Sequence, residues 1–83
     1  MIVIQSIRIS EVSIEYLKKR RLEKQYLKAK KLILAGRFSN VDLKIREPKK
    51  ERIWYFRINK QFRALCELEG DILYVLAIDN HQK

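Results

Sequence analysis

Two arginines and one histidine are the residues of this sequence best suited to chemistry. The arginines, Arg57 and Arg63, lie in FRINKQFRAL, residues 56–65. His81, the only histidine, lies in AIDNHQK. Arginine presents a planar fork of donors that matches phosphate oxygens, and it stays charged at any working pH. Histidine takes or gives a proton near neutrality. Together they suit a phosphodiester: two fixed cations to hold it and one group to move a proton. Each also has a plainer reading. The arginines can be solvated strand residues, or partners of Glu67 or Glu69. A lone histidine so placed is commonly an exposed tail residue.

Such chemistry needs elements that bring the three residues together. Residues 2–9 (IVIQSIRI) are β-branched and predict a strand. Ser10 offers a helix N-cap, and Glu11 suits the positive end of the helix dipole. Leu22, Tyr26, Ala29 and Ile33 recur at steps of four, three and four, which is one apolar helix stripe. Gly36 suits the position that ends a helix. Residues 11–35 therefore predict an antiparallel helical hairpin, broken near Arg20 and Arg21. Residues 37–51, with the only proline, predict a loop containing a short extended piece at 41–46. Strands follow at 52–58, 62–69 and 72–79. Asn59-Lys60-Gln61 and Gly70-Asp71 form the turns between them.

Alternation on these strands sorts their faces. Trp54, Phe56 and Ile58 share one face, and Ile53, Tyr55 and Arg57 the other. Phe62, Ala64, Cys66 and Leu68 oppose Arg63, Leu65, Glu67 and Glu69. The last strand, ILYVLAID, is apolar on both faces, as a central strand is. The order β-α-α-β-β-β predicts an α+β fold: a small, mainly antiparallel sheet with two helices on one face and the other face open.

Composition narrows the partners. The 83 residues predict one domain, 1–83. Nineteen basic against ten acidic side chains give a formal charge of +9, which favours a polyanion such as nucleic acid. Cys66 is the only cysteine, so no intrachain disulfide forms, in keeping with a reducing cytoplasm. The opening MIVIQSIRIS has no charged segment ahead of an apolar block, so no secretion signal is expected. No apolar run approaches a membrane span. Lys18, Lys19, Arg20 and Arg21 (KKRR), with KAKK at 28–31, suit phosphate contacts without sequence readout, or a solvated helix face. Tyr16, Tyr26 and Trp54 read as core, and Tyr55 as a stacking platform beside Arg57. There is no zinc-type Cys/His cluster, paired-carboxylate magnesium motif or glycine-rich phosphate loop. No metal or cofactor is expected.

The segment RIWYFRINKQFRALCELEGDILYVLAIDNHQK resembles the C-terminal half of RelE/ParE toxins of toxin–antitoxin systems, nearest their HigB-like branch. The likeness rests on Trp54, Arg57-Ile58-Asn59, Gln61-Phe62-Arg63, the Glu69-Gly70-Asp71 turn and Ile78-Asp79-Asn80-His81. The resemblance implies a curved sheet backed by two helices. It implies a metal-independent, ribosome-dependent endoribonuclease that cuts translated mRNA and is neutralised by a cognate antitoxin. By the same resemblance His81 is the proton-transfer residue and Arg63 contacts the scissile phosphate; the hairpin's other arginine, Arg57, would be a second cation there. Asn59 stands at a turn position that some members fill with arginine. Lys44 corresponds to the lysine ahead of the hairpin, with Lys49 and Lys50 as alternatives. Tyr55 and the KKRR block would bind RNA, the latter on ribosomal RNA. The rival readings are a ParE-like gyrase inhibitor without enzymatic activity and an inactive RNA-binding relative.

Overall fold

The computed structural model describes residues 2–80. The architecture is α+β. In chain order it comprises β1 (Ser6–Ile9), α1 (Glu11–Lys19), α2 (Glu23–Leu34), β2 (Lys44–Ile45), β3 (Trp54–Arg57), β4 (Phe62–Glu69) and β5 (Ile72–Asn80). The strands form one sheet in the order β1-β5-β4-β3-β2. Only the β1–β5 pairing is parallel; both helices and the strands β2 to β4 lie between these two strands in the chain. No helix among the described residues is long and apolar enough to cross a membrane.

Local signals account for the helix ends. Ser10 caps α1, its Oγ accepting from Ser13 N at 3.2 Å. Gly36, at φ 79°, closes α2: Gly36 N donates to Ile33 O and Arg37 N to Leu32 O. The same hydrogen-bond pattern ends α1 without a glycine. Arg21 takes the left-handed conformation at φ 56° and donates to Lys18 O, while Leu22 N donates to Leu17 O at 2.9 Å. Leu17 and Leu22 are both buried there. Their apolar contact offsets a backbone conformation that a side chain disfavours.

The helices cover one sheet face. The α2 stripe of Leu22, Tyr26, Ala29 and Ile33 is buried against Phe56, Ala64, Cys66, Leu73 and Val75. Tyr26 lies beside Phe56 at 6.4 Å between ring centroids, and Tyr16 meets Phe62 edge-on at 6.0 Å. Fully burying such side chains contributes about 1.5–3 kcal/mol each, so this layer dominates the stability.

The structure corrects two expectations and adds a bulge that the sequence did not announce. The first strand begins at Ser6, not residue 2, although Ile4 is buried ahead of it. β3 begins at Trp54, not residue 52, because Arg52 is left-handed at φ 54° and ends a 3-10 turn over Lys49–Glu51. β5 is interior, yet it does not alternate throughout. A bulge shifts its register from Leu65↔Ala77 to Cys66↔Val75. The extra residue, Leu76, is 46% exposed. Ser10 N donates to Val75 O at this point, so the bulge coincides with the end of β1 and the start of α1.

Arg21→Gly tests the account of the helix break. Glycine adopts the left-handed conformation without a Cβ penalty but loses more entropy on folding. The expected net gain is about 0.5–1 kcal/mol, read as a higher urea midpoint with an unchanged slope.

Candidate nucleic-acid interface

Strand alternation builds the site. Phe56 and Ala64 face the helices as cross-strand partners, so their neighbours Arg57 and Arg63 face the open side as partners too. Tyr55 opposes Leu65 on the same side, and β2 places Lys44 opposite Tyr55. Lys44 Nζ lies 5.7 Å from the Tyr55 ring centroid and Arg63 Cζ 5.2 Å from it. One aromatic ring thus carries two cations, with a third across from the second. Lys44, Tyr55, Arg57 and Arg63 form a single patch. A cation–aromatic contact contributes about 0.5–1 kcal/mol at an exposed site, so the ring serves to position these charges.

The two guanidinium groups differ. Arg57 Nη1 is 3.5 Å from Asp42 Oδ2, each side chain being 43% exposed. A pair this open adds little stability but fixes where the arginine rests. Neither Glu67 nor Glu69, the acids near in sequence, partners either arginine. Arg63 has no ion pair among the described residues, although Asp79 is its cross-strand neighbour. Its Nε is enclosed and has no acceptor among them. Arg63 therefore keeps hydrogen-bonding capacity that no described residue uses.

The other expected residues divide. Asn59 is committed to the hairpin turn: its Oδ1 accepts from Gln61 N at 2.8 Å and Phe62 N at 2.9 Å. What it can offer a ligand is its Nδ2 donor. Lys49 borders a surface depression with Lys44 and Trp54, while Lys50 is exposed on the same 3-10 turn. Lys18 and Lys19 end α1. Arg20 Cζ stacks 3.7 Å above the Tyr16 ring, and Tyr16 packs on Phe62 from the helix side. The KKRR block is thus a second basic patch, on the opposite side of β4 from Arg63. His81 lies outside the described residues. Two neighbours of Arg57 were not assigned to it by the sequence: Asp42, left-handed at φ 51° after the 3-10 turn Phe38–Val41, and Lys28, one of the KAKK cations, which lines a cleft beside Arg57.

Beneath the patch, Tyr26 and Cys66 are ionisable but inert. Burial pushes the Tyr26 hydroxyl up to about 12 from its ordinary 10.0, and the nearby Cys66 adds to this. Burial alone raises the Cys66 thiol above its ordinary value. A thiol held protonated is a poor nucleophile, so Cys66 is core. Among the described residues no three His, Cys, Asp or Glu side chains cluster as metal ligands. No protein-family model and no curated protein matches the chain.

Two outcomes follow from this geometry. Like charges directly opposite one another repel. A double-mutant cycle of Arg57→Gln and Arg63→Gln should return an unfavourable coupling of about 0.2–1 kcal/mol that shrinks in 1 M salt. The second concerns alkali. Both buried groups have raised pKa values, so their contribution is full below the unfolded-chain values of 9.0 and 10.0 and is lost above them. Stability should fall from about pH 9 upward, and Tyr26→Phe should flatten the fall between 10.0 and about 12, read by urea denaturation at each pH.

Proposed function

We propose that this chain is a RelE-like toxin of the HigB kind: a metal-independent endoribonuclease that cuts mRNA on the ribosome and is held in check by a cognate antitoxin. The observation that carries the reading is the patch of Lys44, Tyr55, Arg57 and Arg63 on the uncovered sheet face. Its parts are those an RNA strand requires: an aromatic ring for a base and convergent cations for a phosphate.

The reaction is an internal transesterification. A base removes the proton of a 2′-OH, and the oxygen attacks the adjacent phosphorus. The bond from phosphorus to the 5′-oxygen breaks, and that oxygen takes up a proton. The products are a 2′,3′-cyclic phosphate and a 5′-OH. Arg63, with Arg57 beside it, stabilises the charge that gathers on the phosphoryl oxygens. His81 moves one of the protons, and a lysine of the patch or a water moves the other. The KKRR patch docks on ribosomal RNA, leaving the open face toward the message. The protein works in the cytoplasm, where ribosomes and antitoxin are found.

Primer extension on an mRNA in a purified translation system tests the reading. Wild type should give discrete cuts that require ribosomes. Arg63→Ala should reduce them about 100-fold or more, as loss of a transition-state cation does, and His81→Ala should abolish them. An intact message with wild type would overturn the proposal and direct attention to gyrase supercoiling assays.

A further inference from the structure

A cleft of about 350 Å³ opens between α2 and the β3–β4 turn, and Arg57 belongs to it as well as to the sheet face. Its walls hold an ordered mixture of chemistries. Ala29, Val41 and Ile58 are buried, and with Leu32 they give it an apolar floor. Lys28 and Lys60 join Arg57 as cations, and no carboxylate lines the cleft. Gln25, Asn40 and Asn59 supply amides. The turn fixes which way the Asn59 amide presents, since its Oδ1 is already taken by two backbone donors. The depression lined by Ile2, Val3, Ile4 and Leu34 has no charged side chain and would take a different class of ligand.

We propose that this cleft is a nucleotide-binding subsite. The apolar floor takes the flat face of a base, which every nucleobase provides. The amides hydrogen-bond the base edge, as amide side chains do in RNA-binding sites. Lys28, Lys60 and Arg57 take the phosphate. An isolated phosphate would use the cations but not the floor. A hydrophobic ligand would use the floor but leave cations and amides unmatched. A nucleotide uses all three.

Arg57 gives the cleft its place in the proposed reaction. Resting on the RNA-cleavage reading above, the cleft holds the nucleotide next to the one whose phosphate meets Arg63. The strand would pass from the Tyr55 face, over Arg57, toward α2. Asp42, paired to Arg57, keeps that guanidinium at the junction of the two sites. A free mononucleotide carries the same chemistry as a nucleotide within RNA, so both are tested.

The experiment is a two-dimensional amide NMR titration of the full chain with adenosine 5′-monophosphate, inorganic phosphate and a short single-stranded RNA. Adenosine 5′-monophosphate should shift the side-chain amides of Gln25, Asn40 and Asn59. Lys28→Glu, on an exposed helix position, should weaken its binding about tenfold with the remaining spectrum preserved. Gln25→Ala should weaken it less. RNA should shift both the cleft and Tyr55, and its affinity should drop with the same variants. A subsite for free mononucleotide alone would leave RNA affinity unchanged in Lys28→Glu and would overturn the link to the strand path. Shifts confined to Tyr55 and Arg63, or phosphate binding as tightly as the nucleotide, would overturn the subsite itself. These results stand apart from the cleavage assay. Cutting by wild type with no effect of Lys28→Glu on binding removes the subsite alone. Cleft shifts without any cutting remove the cleavage reading alone.

Discussion

Strict alternation along β3 and β4 ties the core of this protein to its open face. Phe56 and Ala64 can meet under the helices only if Arg57 and Arg63 meet on the other side. A one-residue slip of register would turn guanidinium groups into the core and Phe56 into water. Burying an unpaired charge costs several kcal/mol, and exposing a phenylalanine forfeits about 1.5–3 kcal/mol more. The repulsion between two facing arginines is an order smaller, about 0.2–1 kcal/mol. The core therefore wins and holds the like charges together. A cluster of cations that would disperse in a flexible chain is fixed here by apolar contacts on the far side of one backbone layer.

Backbone irregularities complete the positioning, and three of them fall on residues with side chains. Arg21, Asp42 and Arg52 all adopt left-handed conformations that favour glycine. Each ends a helix or 3-10 turn. Arg21 lets α2 fold back beside α1, with Leu17 and Leu22 closing the corner. Aspartate is among the non-glycine residues that tolerate this conformation, and Asp42 delivers its carboxylate to Arg57. The bulge at Leu76 acts differently. It resets the phase of β5, so that Ile78 lies across from Ala64 after Leu73 and Val75 have already faced the helices.

The sequence was legible wherever the determining contacts were local. The Leu22–Tyr26–Ala29–Ile33 stripe, the Ser10 cap, the Gly36 stop and the bounds of β4 depend on neighbours within a few residues. So does the pairing of Arg57 with Arg63, which follows from alternation and a short turn. Errors arose where distant segments decide. Residues 2–5 have strand composition but lie ahead of the pairing with β5, which starts at Ser6↔Ile72. Residues 52 and 53 look like strand, yet a left-handed Arg52 delays it. Asp42 resembled an ordinary loop charge, and Lys28 was legible only as one of the KAKK cations, suited to phosphate or to solvent. Only the packing of α2 and the 3-10 turn against the hairpin gives them a place beside Arg57.

Openness sets the remaining constraint on chemistry. Arg57 is 43% exposed, and a charge beside it still feels water. Two unit charges 4 Å apart attract by about 1 kcal/mol in bulk water and about 4 kcal/mol at a protein surface of effective dielectric 20. A face this shallow gains catalytic force only when a second body covers it and excludes solvent. The charge balance points the same way. A formal +9 with one ion pair among the described residues leaves most cations facing solvent and one another. Phosphates of a bound polyanion would relieve that repulsion and release counterions as they dock. In the proposed reaction the covering body and the polyanion are the same object, the message within the ribosome. The fold then needs no deep pocket of its own: it has to hold a few cations rigidly on an open sheet, and the partner supplies the enclosure that makes them effective.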